Sequence, residues 1–287
     1  MKKILITGGY GFIAKNLLEQ LGEEYNIFSY NRQQLDLLDS SKVLAVIKKS
    51  KFDVIIHTAT YDAAPKHSKK DPSKVLENNL RMFFNIVRCK DYFGKMIYFG
   101  SGAEYSREHW KPKMKEAYFD KHVPSDQYGY SKYLMSKYVE LNNNLYNLRL
   151  FAVFGKYEDW RVRVISSICR DAVLDLPIII NQNKYYDFMY IDDLIKIIKW
   201  FIENKPLHKI HNICSGNVID FKTIAQKVCK ISGKKLKIVI KERKLGKEYS
   251  GDNLLLLSEI KRSDFTLMDK ALEKLYRFYD TNRSLLE

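Results

Sequence analysis

Cysteine is sparse in this chain and carries no pattern. Cys89, Cys169, Cys214 and Cys229 are widely separated in 287 residues, and none forms a CxxC pair. A disulfide framework or a zinc module needs closer, repeated spacing, so buried reduced thiols are expected. His208 and His211 are near neighbours, but Ile210 and Ile213 around them read as a strand, and no metal is expected. No apolar run approaches the roughly 20 residues that span a bilayer, so membrane insertion is not expected. Two lysines lead from Met1 straight into a strand, without the pattern of a signal peptide, and a cytoplasmic location is the expectation. Internal repeats and low-complexity linkers are lacking too. Acid is scarcer than base, 34 residues against 49, for a formal charge of +15. The lysines are spread along the chain, and stretches such as Lys111-Pro-Lys-Met-Lys115 and Lys234-Lys-Leu-Lys237 are short. That distribution argues against a nucleic-acid partner and leaves a general attraction for polyanionic metabolites.

What remains is a globular composition, 46% hydrophobic and 13% aromatic, long enough for one large domain or two unequal ones. Through residue 155, aliphatic strands alternate with amphipathic helices. Ile4–Ile6, Ile27–Phe28, Val54–Ile56, Met96–Phe99 and Leu148–Phe151 read as strands; Phe12–Leu21, Val43–Ile47, Val75–Val87 and Gln127–Leu141 read as helical. Such alternation predicts an α/β fold, a doubly wound parallel sheet with ligands across the carboxyl ends of its strands. Thr7, Thr60, Ser101 and Phe154 stand at such ends. Beyond Gly155 the pattern is less regular. It predicts a helix from Trp160 to Leu174, a strand Ile178–Ile180, a helix after Asp193, a strand Ile210–Cys214, a helix Phe221–Ile231, a strand-like Leu236–Ile240 and a final helix Met268–Tyr279. Residues 1–155 are expected to form a dinucleotide-binding Rossmann domain to which 183–205 return. Residues 156–182 and 206–287 are expected to form a smaller substrate-binding lobe.

Three groups of residues carry chemistry. Thr7-Gly-Gly-Tyr-Gly-Phe-Ile-Ala14 joins the first strand to the first helix, the context a dinucleotide fingerprint requires. Gly8 permits a tight turn, Gly11 lets backbone approach a pyrophosphate, and the helix amino terminus offers N–H groups. The second strand ends in Ser29-Tyr-Asn-Arg-Gln33, with Asn31 and Arg32 where a ribose-binding acid would stand. An arginine there suits a 2′-phosphate, so NADP(H) is expected over NAD(H); an exposed loop arginine is the plainer alternative. Tyr128 and Lys132 lie one helical turn apart, and Ser101 ends the fourth strand. A phenol of pKa near 10 becomes a usable acid–base group beside an ammonium, and Ser101 can hold the same substrate oxygen.

In this order, the motifs resemble those of the extended short-chain dehydrogenase/reductases, in particular the nucleotide-sugar epimerases, dehydratases and ketoreductases, with the GDP-fucose synthase group nearest. The resemblance also rests on His57-Thr-Ala-Thr60, Asn79, Ser101 to Tyr105, Leu148-Arg-Leu-Phe-Ala-Val-Phe-Gly155, Tyr186 to Asp193, Asn212-Ile-Cys-Ser-Gly216 and Asn31-Arg-Gln-Gln-Leu-Asp-Leu-Leu-Asp39. It implies catalysis by Ser101, Tyr128 and Lys132. For the cofactor it implies Thr7, Gly8, Gly11, Phe12, Ile13, Asn31, Arg32, Asp36, Leu37, Thr58, Ala59, Thr60, Asn79, Phe99, Tyr128, Lys132, Phe151, Val153 and Phe154. It implies a nucleotide-sugar substrate near Ser101, Gly102, Ala103 and Tyr186, with Arg161 or Arg163 supplying charge, and a homodimer through the helices around Asn79 and Tyr128.

Departures narrow the chemistry. Gly102 and Ala103 follow Ser101 where sugar 4,6-dehydratases carry an Asp-Glu pair, and Ala103 stands where GDP-fucose synthase has its cysteine. Ala152 replaces the asparagine usual before the following turn, and Tyr186 replaces a phosphate-gripping arginine. Proton abstraction at C3 or C5 then lacks its groups, and hydride transfer at C4 remains. The expected function is NADPH-dependent C4 ketoreduction of a nucleotide-linked 4-keto-6-deoxy hexose or heptose, GDP-linked, for surface polysaccharide synthesis. An NAD-dependent C4 epimerase and a non-catalytic NADP sensor are the alternatives.

Overall fold

Short aliphatic runs closed by small or polar residues build the centre of the molecule. A computed structural model describes residues 1–63, 68–261 and 264–286. Its strands are β1 (Lys3–Thr7), β2 (Asn26–Tyr30), β3 (Val54–His57), β4 (Lys95–Ser101), β5 (Leu145–Leu150), β6 (Ala152–Phe154), β7 (Ile178–Gln182), β8 (Tyr185–Tyr190), β9 (Ile210–Ile213), β10 (Val218–Asp220) and β11 (Ile238–Glu242). Its helices are α1 (Phe12–Leu21), α2 (Ser40–Ser50), α3 (Val75–Val87), α4 (Gln127–Glu140), α5 (Val164–Val173), α6 (Ile191–Glu203), α7 (Phe221–Ser232), α8 (Leu254–Ile260) and α9 (Met268–Thr281).

Six of the strands form a parallel sheet in the order β2-β1-β3-β4-β5-β9. Side chains alternate across a strand, so Leu5, Ile55 and Met96 share one face with the buried stripes Val43 and Ile47 of α2, Phe83 and Val87 of α3, and Met135 and Val139 of α4. Ile4, Ile6, Ile56 and Ile97 point the other way and are just as completely buried. Both faces are therefore covered, as a parallel sheet demands. Each such aliphatic contributes about 1.5–3 kcal/mol of burial. The strand order reverses at β1, between β2 and β3, which places the ends of these strands beside one crevice.

The chain divides into two compact units. The first holds Met1–His109, Lys115–Leu150 and Ile197–Asn212; the second holds Trp110–Met114, Phe151–Lys196 and Ile213–Glu287. These bounds differ from the sequence-based ones. The returning segment is Ile197–Asn212 rather than 183–205, because β9 joins the main sheet beside β5. Trp110–Met114 also leaves the first unit. Within the second unit β8 lies between β10, antiparallel to it, and β6, parallel to it, and β7 pairs in parallel with β11. Helices α5, α7 and α9 pack on one another there through residues such as Ile168, Ile224 and Leu272.

Local differences are small. Helix α5 begins at Val164, not Trp160, since Asp159 ties Arg161 and Arg163 into a turn ahead of it. The strand expected through Phe151 stops at Leu150 and resumes as β6. Neither α8 nor β10 is expected from the sequence pattern. Among the described residues no helix is long and apolar enough to cross a membrane.

Candidate active site

At the end of β1 the backbone must turn sharply, and Gly8 takes φ +70°, with room above it limited by the Ala59 Cα at 3.0 Å from where a Cβ would stand. Conformation and space both demand glycine. Gly11 then opens α1, its N–H donating to the Gly8 carbonyl at 2.8 Å. No side chain caps this helix and no acid lies in its first turn. Its amino-terminal N–H groups are thus open to an anion, which fits the pyrophosphate of a dinucleotide.

In front of this turn lies a cavity of about 280 Å³. Ten of the sequence-expected positions line it: Thr7, Gly8 and Gly11 from the turn, Asn31, Arg32, Asp36 and Leu37 after β2, and Thr58, Ala59 and Thr60 after β3. The Asn31 side chain accepts from the N–H groups of Gln33 and Gln34, which fixes the loop carrying Arg32. Arg32 itself meets Asp36 at 3.3 Å. Tyr30, Leu35, Tyr61, Lys70 and Met82 also line the cavity and are not found from the sequence. The first two neighbour recognised positions, whereas Lys70 sits in a polar stretch without any motif.

Several expected contacts do not reach this cavity. Phe12 and Ile13 are half-buried in the first turn of α1. Asn79 is buried and acts behind the wall: it accepts from Tyr61 N–H at 2.8 Å and donates to the Tyr61 carbonyl at 3.0 Å. Its role is to hold Thr60 and Tyr61 in place. Phe151, Val153 and Phe154 belong to the second unit, where Phe151 packs on Tyr249 and Phe154 on Phe188 and Tyr190.

The catalytic residues expected from the sequence sit on two elements of the first unit. Ser101 ends β4 and caps the 3-10 turn Gly102–Tyr105, its Oγ accepting from Ala103 N–H at 3.1 Å. Asp126 caps α4 through the Gly129 N–H at 2.8 Å. A Cβ on Gly129 would stand 3.0 Å from the Ala103 carbonyl and 2.9 Å from Pro124, so glycine lets α4 press against the turn after Ser101. Tyr128 and Lys132 share the helix face thus presented. Lys132 is buried; its Nζ donates to the Phe99 carbonyl at 2.8 Å and lies 5.7 Å from the centre of the Tyr128 ring. Phe99, expected as a cofactor contact, serves here through its backbone.

Burial lowers the Lys132 pKa to about 8, while Glu104 and Asp62 pull it back up. His57 is held at about 3 by burial and then by the Lys132 charge, and its Nδ1 lies 2.9 Å from Thr7 Oγ1. Sequence reading also misses Arg107, whose guanidinium lies 5.9 Å from the Tyr128 ring centre while its Nε meets Asp126.

One carboxylate does follow the expected gap. Glu104 stands immediately after Gly102 and Ala103, both buried in the turn, and it is fully buried itself. Its oxygens accept from Arg149 Nε at 2.7 Å, from Asn147 and from Ser101 N–H. This acid is committed to the scaffold under the site. In the second unit, Arg161 binds Asp159 through two nitrogens, Arg163 lies 4.0 Å from Glu158, and Tyr186 sits among Phe188, Phe221 and Tyr249.

Comparison with known proteins adds to this geometry. The model of the NAD dependent epimerase/dehydratase family matches residues 4–214. A GDP-6-deoxy-D-talose 4-dehydrogenase of Aggregatibacter actinomycetemcomitans is 27% identical, covering 96% of this chain and 97% of its own. An ADP-L-glycero-D-manno-heptose-6-epimerase of Cupriavidus pinatubonensis is 24% identical over 77% of this chain and 76% of its own. Among solved structures, a GDP-mannoheptose C4 reductase of Campylobacter jejuni with NADP bound superposes with a TM-score of 0.86 at 20% identity, covering 97% and 98% of the two chains.

Proposed function

The chain belongs to the NAD dependent epimerase/dehydratase family, and from that premise we propose that it is an NADPH-dependent C4 ketoreductase. Its substrate in this proposal is a nucleotide-linked 4-keto-6-deoxy sugar, a hexose or heptose, with GDP as the nucleotide, made for a surface polysaccharide. The observation that carries the proposal is the buried Lys132 ammonium one turn beyond Tyr128 on the helix pressed against the Ser101 turn.

The nicotinamide supplies a hydride to C4 when bound. Tyr128 gives its phenolic proton to the carbonyl oxygen, and Ser101 orients that oxygen with a hydrogen bond. The Lys132 ammonium stabilises the phenolate until solvent returns a proton. General acid catalysis of this kind contributes about 10²–10⁴-fold. Glu104 is tied to Arg149 beneath the site, which leaves it unsuited to removing protons from C3 or C5. The GDP-6-deoxy-D-talose 4-dehydrogenase, alike over nearly its whole length, supports redox chemistry at C4 of a GDP-linked deoxy sugar. Arg32 in the cavity supports NADP(H). A homodimer through α3 and α4 completes the proposal; Phe84 is exposed there and meets Tyr138 at 5.1 Å.

The test is incubation with GDP-, CDP-, dTDP- and UDP-linked 4-keto sugars in deuterated water while NADPH absorbance is followed. NADPH loss with no enzyme-dependent deuterium at C3 or C5 is expected. Interconversion of C4 epimers without net NADPH consumption would replace this proposal with a C4 epimerase.

A further inference from the structure

Two cations face the cavity beyond the end of β2, and only one of them is expected from the sequence. Arg32 is half-committed, since Asp36 already takes its Nε at 3.3 Å. Lys70 comes from the segment after β3 and lines the same cavity. The residue is exposed, but its Nζ rests over the Tyr61 ring, 5.1 Å from the centroid. Among the described residues no carboxylate is bonded to it. Partial desolvation lowers the Lys70 pKa, Asp62 pulls it up, and Arg32 lowers it again, so the two cations feel each other. Like charges gathered at a cleft are unfavourable until an anion arrives, and a phosphate dianion carries charge enough for both.

We infer that Lys70 is the second cationic contact to the 2′-phosphate of the dinucleotide and, with Arg32, sets the preference for the phosphorylated cofactor. The inference rests on the NADP(H) half of the proposed function and needs no sugar substrate. The pyrophosphate has its own partner in the uncapped start of α1. Lys70 is therefore a reader of the one group that distinguishes NADP from NAD.

Calorimetric titration of the full chain with NADP⁺ and with NAD⁺ tests this without any turnover. Lys70→Gln should weaken NADP⁺ about tenfold, the size of one charge-assisted contact, and change NAD⁺ less than about twofold. Lys70→Arg should restore NADP⁺ affinity to within about threefold of the unsubstituted chain. Equal weakening of both cofactors would assign Lys70 to the pyrophosphate and overturn the inference, as would no change in either. A preference for NADP⁺ left undiminished by Lys70→Gln sinks Lys70 alone. A chain that binds NAD⁺ as tightly from the outset sinks the cofactor half of the proposed function as well.

Discussion

Lys132 keeps a charge in a place where water cannot solvate it. The fall of its pKa from 10.5 to about 8 corresponds to about 3 kcal/mol of unfavourable burial when protonated. The unfolded chain binds that proton more tightly, so the Lys132 contribution to stability is poorest below pH 8 and improves as pH rises toward 10.5. In the proposed reaction catalysis has the opposite sign, because the ammonium that would steady the Tyr128 phenolate is lost above pH 8. Ketoreduction should therefore fall as pH passes about 8. Over the same range, the urea midpoint of the unsubstituted chain should rise relative to that of Lys132→Met. Equal pH slopes for the two proteins would mean that Lys132 is not the buried charge described. Tyr128→Phe should bind cofactor normally and lose at least 100-fold in turnover, since only the transferable proton is missing. Retention of a tenth of the rate would remove Tyr128 from the mechanism.

The turn after β4 and the strand β5 are joined by a buried polar network. Glu104 and Arg149 are both fully buried and paired at 2.7 Å, and Arg149 reaches on to the Tyr105 hydroxyl, which donates to Asn212. Removing one partner strands the other's charge, so Arg149→Met should destabilise the chain by about 3–5 kcal/mol. Pairing it with Glu104→Gln should recover a large part of that in denaturant titrations; an additive double variant would contradict the network. Elements of this kind show how far sequence carries. The strands β1, β3 and β4 declare themselves by Ile-Leu-Ile, Val-Ile-Ile and Met-Ile-Tyr-Phe, and the glycine turn and the Tyr128–Lys132 pair by spacing. Glu104 is one residue beyond Gly102 and Ala103, the positions compared with the dehydratase pair, and nothing local says that Arg149, 45 positions away, will neutralise it. Lys70 is invisible for the same reason: its role depends on Arg32 across the cleft, not on its neighbours in the chain. The start of α5 is misplaced because Asp159 and its arginine partners resemble a helix start while forming a turn.

Across the whole molecule, acid sensitivity should centre on one buried imidazole. His57 is neutral in the folded chain down to about pH 3, whereas the unfolded chain takes up its proton near 6.5. Its contribution is complete above pH 6.5 and is lost as pH falls toward 3, by as much as about 4–5 kcal/mol. His57→Asn can still meet the Thr7 hydroxyl but cannot titrate, so its stability should fall less steeply between pH 7 and 4 in urea melts. Parallel slopes would shift the acid limb to other groups.

The break in the first unit's sequence, resumed only at Ile197, has a consequence for a chain still being made. Strand β5 is complete at Leu150, yet its outer neighbour β9 is not synthesised until Ile210. At about 5–20 residues per second, that interval lasts roughly 3–12 s. Throughout it the growing sheet presents an unpaired, apolar edge, the kind of surface on which nascent chains cling to one another. A boundary drawn at residue 155 would make that interval permanent. The fragment ending there should collect in inclusion bodies, whereas a chain continued through β9 carries the strand that closes the edge.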